Sequence, residues 1–174
     1  MHYVIDGYNF GHCAGIIKQN ERKDAVVIVH YIMNLQALSN RGNEATIVFD
    51  GGDSSVTPLI KSARCRVIYS HKESADEVIK KRLESVPRAL RRNYLTITND
   101  RSLGAYARSL GVRVAQVDKF ILLKSKKLLK KYETASEKPT FISREDVELA
   151  KIFEQGLKKK QGEHKNAFRR TDNT

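Results

Sequence analysis

His2-Tyr3-Val4-Ile5-Asp6-Gly7-Tyr8-Asn9 opens the chain, and its reading decides the fold. His2 to Ile5 fits a short buried strand, which ends in an acid followed by a turn-forming glycine. The same pattern recurs downstream. Thr46-Ile47-Val48-Phe49 ends in Asp50, and Tyr94-Leu95-Thr96-Ile97-Thr98 ends in Asn99-Asp100. A further run, Arg66-Val67-Ile68-Tyr69, is followed by Ser74-Ala75-Asp76-Glu77. Such strands alternate with helix-like stretches, which predicts βαβ units and an α/β fold around a mostly parallel sheet of about five strands. In open α/β sheets the ligand crevice lies beyond the C-terminal strand ends, so Asp6, Asp50, Asp76 and Asp100 are expected to converge there.

The intervening segments support this order. Residues 22–41 read as a long helix with Val26, Val29, Met33 and Leu35 to Leu38 on its apolar side, stopped at Arg41-Gly42-Asn43. Gly51 to Ser55 reads as a loop, and Pro58 to Ala63 as a short helix or irregular stretch. Ser74 to Ser85 forms a helix opened by a capping box, Ser74 as N-cap and Glu77 reaching back to its amide. Pro87 ends it, and Arg88 to Arg92 make a basic connector. A helix from about Arg101 to Leu110 stops at Gly111, and a fifth strand covers Val112 to Val117. Asp118 is placed to cap a Lys-rich helix to about Lys131, followed by a polar linker over Tyr132 to Thr140 and a last helix from Ser143 to near Gly156. The chain thus reads as one domain over 1–157 and a basic, disordered tail over 158–174. There is no internal repeat.

Composition narrows the partners. A formal net charge of +12 and a pI near 9.8 favour a polyanion, and nucleic acid is the commonest one for such a domain. A membrane is the weaker alternative, because no stretch reaches roughly 18 uninterrupted apolar residues and the chain has no Trp. No secretory leader is evident, and Cys13 and Cys65 are in no metal-ligand spacing, so reduced thiols and a cytoplasmic location are expected.

Within this basic chain the acids define a chemistry. Carboxylates gathered in one crevice repel one another unless a cation lies between them. Oxygen-only ligands suit hard cations, so one or two Mg²⁺ or Mn²⁺ ions are expected on Asp6, Asp76 and Asp100. Such ions polarise a phosphodiester and activate water. Asn9 and Thr98 offer hydrogen-bonding groups to a phosphate or a bound water, and Arg101 is a candidate to steady a phosphate. Arg88, Arg91, Arg92, Lys126 and Lys127 are candidate nucleic-acid contacts of a less specific kind, and the Lys-rich helix reads equally well as a solvated outer face. Each acid alone has an ordinary reading as turn residue or helix cap. Their joint recurrence after strand ends is what points to a shared site, with Asp50 its weakest member. Tyr8 is expected to pack beside the site, and Glu77 to cap.

The ordered set Asp6-Gly7-Tyr8-Asn9, Phe49-Asp50, Ser74-Ala75-Asp76 and Thr98-Asn99-Asp100 resembles the YacP-like branch of the NYN domains, which belong to the PIN-like, metal-dependent ribonucleases. The resemblance covers about residues 1–150. It implies a PIN-like three-layer α/β/α sandwich and endonucleolytic cleavage of single-stranded RNA, with messenger RNA as substrate and a ribosomal partner. By position, Asp6, Asp76 and Asp100 match the metal-holding acids, Asn9 the Asn of the motif, and Asp50 a more variable acid. The alternative is a non-catalytic RNA- or ribosome-binding module on the same fold. A receiver-like phospho-switch, suggested by Asp50 and Lys119, fits poorly because Gly7-Tyr8-Asn9 follows Asp6 where a second acid is expected. Oligomeric state is not encoded in any of these features.

Overall fold

A computed structural model of the chain describes residues 1–17, 25–35, 42–51 and 64–134, with side chains as far as 127. Two compact units are present, Met1–Phe120 and Ile121–Thr174. The sheet and all four acids lie in the first. Of the second, the described part is the stretch of helix from Ile121 to Thr134. The expected helix over 143–156, the tail over 158–174 and the Pro58–Ala63 stretch lie outside the described residues.

In chain order the elements are β1 (His2–Asp6), α1 (Gly7–Cys13), α2 (Ala25–Asn34), β2 (Glu44–Phe49), β3 (Cys65–Tyr69), α3 (Ala75–Glu84), a 3-10 turn (Arg88–Asn93), β4 (Tyr94–Ile97), α4 (Arg101–Ser109), β5 (Arg113–Ala115) and α5 (Val117–Thr134). The five strands are all parallel, in the order β3-β2-β1-β4-β5. A parallel sheet covered on both faces buries its strands completely, which is why β1, β2 and β4 read as near-continuous apolar runs. The chain winds outward from β1 to β3, then returns to the other side of β1 with β4. That reversal opens a crevice between the C-terminal ends of β1 and β4.

On one face Val4 and Val48 pack with Ala75, Ile79 and Leu83 of α3, Leu103 and Ala107 of α4, and Val112. The opposite face carries Tyr3, Ile5, Ala45, Ile47 and Phe49, all buried. There Phe49 lies against Tyr8 of α1, with ring centroids 4.9 Å apart. A Cβ on Gly11 of α1 would meet Ile28 of α2 at 2.6 Å, so the glycine permits the close packing of these two helices. Helices on both faces give the three-layer α/β/α architecture.

Several sequence expectations shift in detail. Gly7 does not form a turn after Asp6 but opens helix α1, so Asn9 sits in the helix. The fifth strand is shorter than Val112 to Val117, because Val117 already begins α5. Asp118 therefore lies in the first turn rather than at the cap, and the Val117 amide is instead bonded by the Asn99 side chain at 2.9 Å. Helix α5 runs on to Thr134, replacing the start of the expected linker. The connector is a 3-10 turn, and Gly111 ends α4 with φ of +82°, a value that only glycine adopts freely. The Ser74–Glu77 capping box is present with both of its bonds.

Candidate active site

Each acid reaches the crevice by a local rule of chain geometry. Asp6 closes β1 and is the N-cap of α1, with Oδ1 accepting from the Asn9 amide at 3.3 Å. Asp100 follows β4 and is the N-cap of α4, with Oδ1 accepting from Leu103 at 2.7 Å. Asp50 follows β2, and its Oδ1 takes the Ala75 amide at the start of α3 at 2.6 Å. Asp76 is in the first turn of α3, where the positive end of the helix dipole favours an anion. For Asp6, Asp50 and Asp100, one oxygen thus satisfies a helix-start amide, and among the described residues nothing donates to the other.

These carboxylates share one electrostatic field. Asp6 is only 7% exposed. Burial pushes its carboxyl up to about 7, the Asn9 amide opposes this, and the charges of Asp76, Asp50 and Asp100 add to the rise. Asp76 is also raised, first by burial and then by Asp100, with Asp50 adding and the Lys80 ammonium opposing. Four acids from four separate segments of sequence therefore lie close enough for the charges of Asp50 and Asp100 to act on Asp6 and Asp76. Their hard oxygen donors and unbalanced negative charge suit a divalent cation in kind. Among the described residues, however, no three His, Cys, Asp or Glu side chains converge as a metal-holding group. The acids form a field, not a closed cage.

Asn9 ties the two sides of the crevice together. Its Oδ1 accepts from the Asn99 amide at 2.8 Å, the Thr98 hydroxyl at 3.4 Å and the Cys13 thiol at 3.8 Å. Thr98 Oγ1 in turn accepts from the Asp100 amide at 3.0 Å. The result is a chain of hydrogen bonds from α1 to the N-cap of α4. Asn9→Ala leaves the Asn99 amide unpaired and should destabilise the protein by about 1–3 kcal/mol. Thermal unfolding checks this, with a melting temperature several degrees below wild type expected.

The other candidates separate by environment. Thr98 is 2% exposed with its hydroxyl engaged on both sides, so it braces Asn9 and Asp100. Arg91 donates to the carbonyls of Val86, Leu110 and Glu84 at 3.0, 3.1 and 3.3 Å, and so fastens the turn to the ends of α3 and α4. Its guanidinium is spent on the fold. Arg88, Arg92, Arg101, Lys126 and Lys127 are exposed. Arg101 stands next to Asp100, whereas Arg88 and Arg92 lie on the turn that precedes β4, at the opposite end of the sheet from the acids. Cys13 and Cys65 are free thiols, and burial pushes Cys65 up to about 11.

Two residues escaped sequence reading. Asn99 joins Asn9 to the start of α5 through its amide and side chain, a role set by packing across 90 positions to Asn9 and 18 to Val117. His71 has a backbone φ of +54°, and it is the non-glycine residue with positive φ among those described.

Comparison with known proteins agrees with this architecture. The profile of the YacP-like NYN domain matches residues 3–170. The chain belongs to that family. Membership places it among the PIN-like ribonuclease families in general terms. Crystal structures of Rae1 (YacP) from Bacillus subtilis have a similar fold at 20% identity. One gives a TM-score of 0.55, covering 99% of this chain and 96% of that one. A point variant of the same protein gives 0.54, covering 90% and 97%. No curated protein matches significantly.

Proposed function

We propose that the protein is a Mg²⁺- or Mn²⁺-dependent endoribonuclease that cleaves single-stranded RNA. The observation that carries this is the Asp6 carboxyl at the end of β1, raised to about 7 first by its burial and further by the charges of Asp76, Asp50 and Asp100. Clustered carboxylates of perturbed affinity at a topological switch point are more characteristic of chemistry than of stability. Asp6, Asp76 and Asp100 would hold the cation, with Asp50 beside them. When bound, a divalent cation lowers the pKa of water and neutralises charge on a phosphodiester.

The chain's own residues do the remaining work. Asn9, held by Asn99 and Thr98 through Oδ1, keeps its Nδ2 hydrogens free of described partners and able to meet a phosphate oxygen. Arg101, exposed beside Asp100, supplies positive charge to a neighbouring phosphate. The net charge of +12 draws the polyanion toward an otherwise acidic crevice. In-line attack by water with departure of the 3′ oxygen leaves 5′-phosphate and 3′-hydroxyl ends. Messenger RNA, presented by the ribosome in the cytoplasm, is the substrate context we favour, and the nuclease domain would span residues 1–157 with the basic tail beyond it. None of the described helices is long and apolar enough to cross a membrane.

One observation favours a second reading, a non-catalytic RNA-binding module: the described acids do not converge as a metal-holding group. Incubation of mixed-sequence single-stranded RNA with the protein and Mn²⁺ or Mg²⁺ separates the two. The nuclease reading expects cutting that EDTA and Asp100→Asn each remove, with 5′-phosphate ends. Salt-sensitive binding with no cutting, on free RNA and on translating ribosomes alike, contradicts it.

A further inference from the structure

His71 occupies a backbone conformation otherwise held, among the described residues, by glycine. Among the described residues the positive φ values fall at Gly15, Gly42, Gly51 and Gly111, and at His71 alone among side-chain-bearing residues. A β-carbon in the left-handed region is strained, and glycine would relieve that strain. Residues held in such sparsely populated conformations cluster at active sites and ligand clamps.

The location gives the side chain a task. The Ser70 amide donates to Phe49 O at 2.9 Å, the His71 amide to Gly51 O at 2.9 Å, and the Gly51 amide to Ser70 Oγ at 3.2 Å. These bonds zip the segment after β3 onto the segment after β2, and Ala75 then closes on Asp50 at 2.6 Å. His71 therefore stands on the rim beside Asp50, followed by Lys72, with both residues exposed. No described residue hydrogen-bonds or ion-pairs with its imidazole.

We propose that His71 is a substrate-contacting residue, its imidazole N–H donating to a phosphate oxygen of the RNA strand where it passes the Asp50 side of the crevice. The proposal rests on the RNA-directed reading above and adds a specific contact to it. An imidazole offers one or two N–H donors and no fixed negative charge, which suits a phosphodiester lying over acids. A hydrogen bond of this kind to a charged group corresponds to about tenfold in affinity.

His71→Gly in the full chain is the decisive variant, because glycine removes the imidazole and relieves the backbone. Expected are a melting temperature equal to or slightly above wild type, and binding of a labelled single-stranded RNA in EDTA weakened about five- to tenfold. In cleavage, KM should rise by a similar factor with kcat within about twofold. His71→Asn, which tolerates the same backbone and keeps a shorter N–H donor, should weaken binding less than His71→Gly. Unchanged RNA affinity in both variants overturns the proposal, as does a fall in affinity that merely tracks a fall in melting temperature. Binding in EDTA reads His71 independently of cutting, so absence of cleavage by the wild type would count against the nuclease reading and leave this contact standing or falling by its own measurement.

Discussion

Asp6→Asn is expected to raise the melting temperature of the metal-free protein by roughly 5 °C or more at pH 8, while lowering RNA cleavage by at least on the order of 10²-fold. The two effects share one cause. Burial and three neighbouring acids hold the Asp6 carboxyl at about 7 in the fold, against 3.8 for an unperturbed group. Between these values the folded protein binds a proton that the unfolded chain has released, so stability falls as pH rises from about 4 through 7. Above pH 7 the ionised acid costs on the order of 2–4 kcal/mol. The neutral amide removes that penalty and can still accept from Asn9. The stabilisation should therefore shrink below pH 7 and vanish near pH 4, which a series of thermal melts across that range reads directly. A carboxylate retained only as a helix cap would give the opposite result, with the substitution neutral or destabilising at every pH.

Gly7→Ala is expected to destabilise the protein by about 1–3 kcal/mol, even though alanine is the better helix former by ~0.5–1 kcal/mol. A Cβ at position 7 would lie 2.3 Å from Phe49 Cε1 and 2.5 Å from Cδ1. The Phe49 ring cannot easily yield, because it is fully buried with Tyr8 on one contact at 4.9 Å and Tyr69 on another at 5.7 Å. Relief must come from the start of α1, which carries Asp6 on one side and Asn9 on the other. Cleavage should fall along with the melting temperature. Phe49→Leu placed in the same chain should recover part of the stability lost to Gly7→Ala, since it removes the atoms that clash. Purely additive losses in the double variant would show that the contact is not the cause.

How far the sequence discloses this architecture depends on which interactions are local. The strands of a parallel sheet are apolar runs that stop abruptly, so the places where Ile5, Phe49 and Ile97 give way to polar residues mark the C-terminal edge; Asp6 and Asp50 follow directly, and Asp100 three residues after Ile97. The Ser74–Glu77 capping box is equally local, and it fixes Asp76 in the first turn of α3. Helix α1 was hidden because seven residues with Gly7 and Gly11 carry almost no helical signature, and Asp6-Gly7 imitates a turn. What holds α1 is tertiary: Phe49, Ile28, and the Asn9 bonds to the β4–α4 loop. Asp118 misled for the complementary reason. It has the chemistry of an N-cap, but Asn99 bonds the first amide of α5 from a distant position. Arg91 and Thr98 likewise look available by type, and their hydrogen bonds to Val86, Leu110, Glu84, Asn9 and Asp100 exist only in the folded chain.

The same distinction explains His71. Nothing in Ser70-His71-Lys72 specifies a left-handed residue, since the conformation follows from the bonds that draw this segment onto Gly51. The acids are legible because they follow strand ends, whereas the residues that orient them depend on which loops the sheet order makes neighbours.

Titration of Mn²⁺ into the metal-free chain near pH 7, followed by calorimetry in two buffers of different ionisation enthalpy, tests the central claim that these acids form one cation site. Saturable binding is predicted, with protons released as the cation displaces them from Asp6, and with both affinity and proton release reduced in Asp6→Asn. Absence of saturable binding, or the same affinity and proton release in wild type and Asp6→Asn, would contradict it.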